Sequence, residues 1–360
     1  MQVITDFFNK HQINPKALAV GVSGGADSLA LVLWLKESLP DVKIIGLTVD
    51  HGLRPTSRQE AEYVADILAQ NQIEHHILTW DGEKPTTGIE EQARIARYHL
   101  LCDWCKAHNI SYLAIAHHLF DQAETFLMRL ERGSGLYGLS AIQEISESYG
   151  IQILRPLLHI SPENLKAYLS QHQIKWIEDE SNRCTDFLRV KMRQFLPILS
   201  KNTGITPERI DLAVQNLQRS RQFMEDMVFQ TIQNKVHLWN KSGASFDTSE
   251  FLSWHQELKF YVLSTLICQI SGNIYIPQSD ALCTLINELN DSNFAGATLG
   301  GICFQKSDLR IWLIKENRDI KTNYKEEDWI CYEQNNPAVR GLKIPSKLKQ
   351  ALIYEKKHKK

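Results

Sequence analysis

At 360 residues the chain exceeds what one hydrophobic core usually serves, so at least two domains are expected. Its 43% hydrophobic and 23% charged content is that of a globular protein, and no apolar run approaches the roughly 20 residues that span a bilayer, which excludes a membrane-spanning helix. A formal net charge of −2 says little by itself, because local clusters decide whether an anion is bound.

Two such clusters exist: residues 181–221 carry eight Arg or Lys against three acids, and residues 341–360 carry seven Lys against one Glu. The first residues, Met1 to Asp6, show no basic region followed by an apolar stretch, so a cytoplasmic protein is expected. Seven cysteines scattered through a long chain do not form a disulfide framework and read as reduced, mostly buried side chains.

Through the first 120 residues short β-rich runs alternate with amphipathic helical stretches. Strands are expected over 17–22, 43–50, 75–80 and 111–117, and this alternation implies an α/β fold with a parallel, Rossmann-like sheet and helices on both faces. From about 119 the pattern turns helical, with a β-like run at 151–154 and a helix capped by Ser161 with Pro162 in its first turn. Pro197 and the stretch 201–207 interrupt the flanking helices and put the domain break near 205. Beyond it, Ile210, Ala213, Leu217, Met224, Met227, Val228 and Thr231 lie on one helical stripe. Helices over 257–270 and 280–289 and strands over 297–304 and 309–314 complete a smaller, mostly helical α+β domain, 206–319. A short basic segment, 320–360, follows it.

Val20 to Leu31 reads as an apolar strand, a Gly-rich turn and an apolar helix. Backbone N–H groups of such a turn, Ser23-Gly24-Gly25-Ala26-Asp27-Ser28, surround an anion, and the helix points its positive end at the same spot. Ser23 and Ser28 add hydroxyl donors, while Asp27 suits either holding a divalent cation or orienting the reacting group. The segment resembles the pyrophosphate loop (PP-loop) of the N-type ATP pyrophosphatases, a family that includes tRNA-modifying enzymes, GMP synthetase and argininosuccinate synthetase. The Gly-Lys-Ser/Thr of a Walker A loop is absent. Asp50 and His51, in Val49 to Arg54, fall at the carboxyl edge of the second strand, where the adenosine of ATP is expected.

Spacings of four and three put His117, Asp121 and Glu124 on one helical face, a constellation suited to binding a cation, Mg²⁺ or a substrate ammonium, and shifting its proton. The continuation Arg129 to Leu139 is basic and Gly-rich. Here the resemblance sharpens to the tRNA(Ile)-lysidine synthetase family, carried by three segments. These are His117 to Thr125 with Arg132 to Gly135, then Arg155 to Leu158, then Trp176 to Asn182; Glu90, Ala93, Arg94, Arg97 and Tyr98 add a further likeness. It covers about residues 17–200.

The resemblance implies an ATP-dependent ligase: ATP adenylates the C2 oxygen of the wobble cytidine of a CAU-anticodon isoleucine tRNA, and the ε-amine of free lysine displaces AMP. It implies Asp121 and Glu124 at the lysine, Asp27 near the reacting centre and on Mg²⁺, and Arg97 and Arg189 against phosphate or substrate. Arg132, Arg155 and Arg193 are implied at the tRNA or its phosphates, the domain after 205 at the acceptor region, and a homodimer as the assembly. The sequence departs from the family where Val190 follows Arg189 in place of Asn and where Ala141-Ile142 replaces Gly-Met. Cys102-Asp103-Trp104-Cys105 leaves a tRNA thiolase of the same fold as the alternative, against buried helix cysteines.

Overall fold

The computed structural model describes residues 2–82, 87–178, 188–239, 242–273, 276–307, 309–316, 325–336, 339 and 343–358. The chain packs as two units, Met1–Arg221 and Gln222–Lys360.

The first unit contains, in order, α1 (Gln2–Lys10), β1 (Ala17–Gly21), α2 (Ala26–Ser38), β2 (Lys43–Asp50), α3 (Ser57–Gln70), β3 (Glu74–Thr79), α4 (Ile89–Ala107), β4 (Tyr112–Ala114), α5 (Leu119–Glu131), α6 (Leu136–Leu139), β5 (Ile145–Ser148), β6 (Ile151–Leu154), α7 (Pro162–Gln171), α8 (Leu188–Thr203) and the first half of α9 (Pro207–Lys235). Its sheet has the order β3-β2-β1-β4-β6-β5. All neighbours pair in parallel except β5, which returns antiparallel on β6 through a two-residue turn, Tyr149-Gly150, with both φ positive. From β1 the chain winds outward to β3, then comes back to lay β4 on the other side of β1. That reversal is the point where an open α/β sheet parts its loops and leaves a crevice.

Alternation along β1 feeds two cores. Leu18 and Val20 pack with α1, α2 and α7, whereas Ala19 faces the α4 side with Leu101, Cys102 and Cys105. Helix α2 carries Leu29, Leu31, Val32, Leu33 and Leu35, all buried, because it lies between the sheet and other helices.

Three expectations change. Strand β4 is three residues long, since the chain leaves the sheet at Ile115 and turns toward α5. Pro197 does not end a helix. Helix α8 runs through it to Thr203, held by Leu196, which is buried against Ala123, Ile210 and Val214. The two units part at Arg221, inside the continuous helix α9, and not at 205, because residues 207–218 pack on the first unit through Ile210, Val214 and the hydrogen bonds of Asp211 and Gln218.

The second unit is built on a five-stranded antiparallel sheet, β7-β8-β11-β10-β9, formed by β7 (Val236–Trp239), β8 (Gly243–Asp247), β9 (Ala297–Leu299), β10 (Ile302–Lys306) and β11 (Arg310–Lys315). The run expected at 297–304 is thus a hairpin turning at Gly300-Gly301. Helices α10 (Thr248–Ser253), α11 (Gln256–Ser271) and α12 (Ser279–Asn290) precede β9, and α13 (Glu326–Asn335) and α14 (Ser346–His358) follow β11. The described residues beyond 320 contribute more than basic charge. Trp329, Tyr332, Leu348, Leu352 and Ile353 are buried against Trp239, Trp312 and Ile314 of the sheet.

Candidate active site

At the end of β1 the chain makes a turn that its own side chains tie down. The Ser28 hydroxyl donates to the Gly25 carbonyl at 3.0 Å, accepts from the Ser23 amide at 3.1 Å and lies 3.2 Å from the Ser23 hydroxyl. Gly24 has φ +86, and a Cβ there would meet the Ile177 side chain at 2.7 Å, so only glycine fits both the backbone and the space. The Gly24 carbonyl accepts the Ile177 amide at 2.9 Å. The beginning of the Trp176–Asn182 motif is therefore a clamp on the loop; Asp179, Glu180, Ser181 and Asn182 lie outside the described residues. No side chain caps the N-terminus of α2 at Gly25, which leaves the amides of the 13-residue helix's first turn open to an anion.

Asp27, in that first turn, points its Oδ2 to within 3.5 Å of His118 Nε2. His118 is the N-cap of α5: its Nδ1 accepts the Phe120 amide at 3.1 Å, and Asp121 Oδ2 accepts the His118 amide at 2.9 Å, a reciprocal capping box. With Nδ1 an acceptor, the ring hydrogen sits on Nε2, facing Asp27. Burial opposes charge on this ring, but Asp27, Asp121 and Glu124 together raise its pKa. The sequence had pointed to His117. Helical spacing counted from 117 misleads because 117 precedes the helix, and the residue that joins the two halves of the site is His118. An N-cap pattern, His followed three residues later by Asp, was the signal for it.

His117 turns instead to Arg155. Arg155 Nε donates to His117 Nδ1 at 3.2 Å, and its Nη1 donates to the Gln143 carbonyl and the Ser146 hydroxyl, each at 2.9 Å. Burial drives the pKa of His117 down to about 3, helped by Arg155, Arg189 and Arg94 and opposed only by Asp121, so this ring is neutral. Arg155 is itself buried, which lowers its pKa, with Tyr98 as a compensating partner; it braces the β5–β6 hairpin against the loop before α5 and is not presented to a ligand.

One turn into α5, Glu124 is wholly buried and receives two guanidinium groups from α8: Arg189 Nε at 2.8 Å and Arg193 Nε at 2.6 Å. Arg189 also donates Nη2 to Asp121 at 3.0 Å, so it spans both acids. Burial opposes ionisation of Asp121, but the charges of His118 and Arg189 and the hydrogen bond from the His118 amide hold its carboxyl below the usual carboxylate range. Arg189 and Arg193 are one helical turn apart, which lets one helix face deliver both cations; Val190, where the family has Asn, stands outside this pairing.

The remaining candidates lie apart from this cluster. Asp50 is buried and its Oδ1 accepts the Ser57 hydroxyl at 2.6 Å and the Gly52 amide at 3.1 Å, which fixes the turn into α3. His51 Nδ1 accepts the Leu53 amide at 3.0 Å; burial together with Arg54 and Arg97 lowers its pKa, so Arg97 faces the edge of β2. Arg94 and Tyr98 share the adjoining face of α4, with the Arg94 guanidinium 5.7 Å from the ring centre. Ala93 is half-buried on the same helix, where Glu90 also falls. Arg132 is exposed at the far end of α5. Among the described residues no three His, Cys, Asp or Glu side chains converge on a metal position. A Mg²⁺ ion bound through one carboxylate and substrate phosphates fits Asp27, whose side chain is 36% exposed at the loop.

Cys102 and Cys105 are fully buried in the α4 side of the core, and burial pushes their thiols up to about 11 and about 12. Burial of this kind makes both thiols poor nucleophiles.

A family model described as a PP-loop domain matches residues 2–199. The tRNA(Ile)-lysidine synthase of Wolbachia pipientis wMel is 38% identical over 314 residues, covering 84% of this chain and 72% of the relative. Its counterpart in Wolbachia sp. subsp. Brugia malayi (strain TRS) is 35% identical over 323 residues, covering 88% and 74%. Among solved structures, the U34-tRNA thiolase of Methanococcus maripaludis, with its 4Fe–4S cluster, aligns with a TM-score of 0.51 at 18% identity over 61% of this chain and 77% of that one, a likeness of fold alone. With the PP-loop sheet, the tied-down loop and these relatives in agreement, the chain belongs to the tRNA(Ile)-lysidine synthase family.

Proposed function

We propose that this chain ligates lysine to C2 of the wobble cytidine, position 34, of the CAU-anticodon isoleucine tRNA, forming lysidine and converting decoding from AUG to AUA. The observation that carries the reading is the 3.5 Å approach of His118 to Asp27, which sets an anion-binding loop against an acidic pocket in one crevice.

The two steps need opposite environments. When the C2 oxygen attacks the α-phosphorus of ATP, pyrophosphate leaves, and the open amides of α2 with Ser23, Gly24, Gly25, Ala26 and Ser28 hold its charge. Adenosine lies toward Asp50, His51 and Arg97 at the edge of β2. Asp27 would hold a Mg²⁺ ion, which would supply neutralisation of phosphate charge when bound. The lysine ammonium gives up a proton to the acidic pocket and thence to water, the free amine attacks C2, and the C2–O bond breaks as AMP departs with the oxygen. Asp121 receives the ammonium, since its side chain is 13% exposed whereas that of Glu124 is 0% exposed and already holds Arg193. Arg189, 36% exposed, gives up Asp121 in exchange and meets the AMP phosphate; Arg132 and Arg193 face the tRNA.

The segment 206–319, most of which lies in the unit after 221, is assigned to tRNA recognition at the acceptor region, in a cytoplasmic protein assembled as a homodimer. Incubation with ATP, Mg²⁺, labelled lysine and CAU-anticodon isoleucine tRNA tests the reading: label enters the tRNA with one AMP per lysine. Formation of AMP only with another amine or a sulfur donor overturns it.

A further inference from the structure

Helix α5 carries both acids of the site, so the rotation of that helix about its own axis decides where Asp121 points. Two side chains grip it. Glu124 is held by Arg189 and Arg193 of α8. The other grip is Gln122, wholly buried, whose amide pairs with both backbone groups of Ile142: Nε2 donates to the Ile142 carbonyl at 2.9 Å and Oε1 accepts the Ile142 amide at 2.8 Å. A two-residue step on a helix is about 200° of rotation, so Gln122 and Glu124 leave α5 in nearly opposite directions, and Asp121 projects between them, about 100° from Gln122 and about 60° from Glu124. The turn that presents Ile142 is held from its other side. Gln218 of α9 donates Nε2 to the same carbonyl at 2.8 Å and to the Ser140 carbonyl at 3.1 Å. Between the two carbonyls Ala141 has φ +46, a left-handed conformation that a residue with a Cβ keeps only where its surroundings fix it; this is the position at which the family has Gly.

We propose that Gln122 is a positioning residue for the lysine step: its amide, locked to Ile142, sets the rotation of α5 and so places Asp121 where the ammonium arrives. The inference rests on Asp121 receiving lysine. Its warrant is a difference between the two grips. The guanidinium side is charged and rearranges in turnover, since Arg189 releases Asp121 for the ammonium to enter. The amide side is neutral and buried, and it keeps its two hydrogen bonds while Arg189 moves. Without it, α5 is oriented chiefly by the residues that lysine disturbs, and the acid loses its setting at the moment of binding. A turn of about 10–20° in a supporting element is enough to take a binding group out of productive geometry.

Gln122→Met and Gln218→Met test this, the first also combined with Ala141→Gly, through thermal unfolding and the KM for lysine, ATP and tRNA. Gln122→Met, which keeps the volume and removes both hydrogen bonds, is expected to raise KM for lysine about tenfold and to leave KM for ATP and for tRNA within about twofold. Gln218→Met, which removes only the outer support of the turn, should raise KM for lysine about threefold. Adding Ala141→Gly to Gln122→Met relieves the turn, so it should recover unfolding temperature and not KM for lysine. The inference is overturned by a wild-type KM for lysine in Gln122→Met, by an equal rise in the KM for lysine, ATP and tRNA, or by recovery of KM for lysine with Ala141→Gly, which would mean that Gln122 serves the turn alone. Should Gln122→Met not fold, an unchanged KM for lysine in Gln218→Met is the overturning result. Wild-type protein that puts no labelled lysine into the transcript overturns instead the assignment of lysine as substrate, and this inference with it.

Discussion

His118 and Asp27 are 91 positions apart in the chain, yet His118 Nε2 stands 3.5 Å from Asp27 Oδ2, because β1 and β4 are neighbours in the sheet and each sends its following loop to the same edge. The same ring caps α5 through Nδ1, so its two nitrogens do separable work. In His118→Asn the short polar side chain still caps the helix but no longer reaches Asp27; stability should stay within about 0.5 kcal/mol of wild type while kcat falls roughly 10- to 100-fold. His118→Ala should lose both, with about 1 kcal/mol of stability gone. Urea unfolding and steady-state lysine incorporation measure the two effects, and unchanged kcat in His118→Asn would sink this role.

The buried thiols bear on the choice between amine and sulfur chemistry. Cys102→Ala with Cys105→Ala should retain lysine incorporation within about twofold, at a cost of roughly 1–2 kcal/mol for the lost packing. Native protein at pH 8 should resist iodoacetamide at both positions, as mass spectrometry of tryptic peptides will show, since pKa values near 11 and 12 leave almost no thiolate.

A second charge network lies away from the crevice. His159 donates or accepts at Asp211 (2.9 Å) and Glu144 (3.2 Å), and Glu144 also meets Lys10 (2.5 Å) and His11 (3.0 Å). Burial opposes charge on His159, but Asp211 and Glu144 raise its pKa to about 9, above its ordinary value of 6.5. Its stabilising effect is therefore complete below pH 6.5 and lost as pH rises through about 9. Glu144, held at about 2 against burial by His159 and Lys10, acts in the opposite direction: its effect is present above about pH 4.5 and lost as pH falls toward 2. His159→Phe should cost about 1–3 kcal/mol at pH 6 and little at pH 10. Equal losses at both pH values in chemical denaturation would rule the ion network out as the cause.

Removing the C-terminal helices should disable the second unit. A chain ending at residue 316 loses Trp329, Tyr332, Val339, Ile344, Leu348, Leu352 and Ile353, and uncovers Trp239, Trp312 and Ile314. At about 1.5–3 kcal/mol per buried side chain the loss is on the order of 10–20 kcal/mol, as large as the 5–15 kcal/mol that holds a typical domain together. Differential scanning calorimetry should show the transition of that unit vanish; its survival would mean the helices are dispensable.

The nucleotide loop was legible because its logic is local: strand, turn and helix follow one another within Val20–Leu31, and residue types there answer to neighbours a few positions away. The same holds for the strands at 43–50 and 151–154 and for the Ser161 cap. Local rules failed where a boundary had to be known first. His117 was favoured by counting helical spacing back from Asp121, but α5 begins at Leu119, so periodicity does not extend to it. The lysines of 341–360 dominated that segment's composition and hid the apolar stripe of Leu348, Leu352 and Ile353, which only a partner sheet reveals as core.

By itself, then, the order of residues determined an α/β nucleotide-binding unit, its anion loop and the acidic helix that follows β4. Only the tertiary structure decided which histidine joins them, that Arg189 and Arg193 neutralise Glu124 across 65 and 69 positions, and that Ile177 clamps Gly24. The reason is physical. Hydrogen bonds between neighbours in sequence are set by short-range geometry, whereas contacts between distant residues depend on strand order and helix packing, which are properties of the whole folded chain.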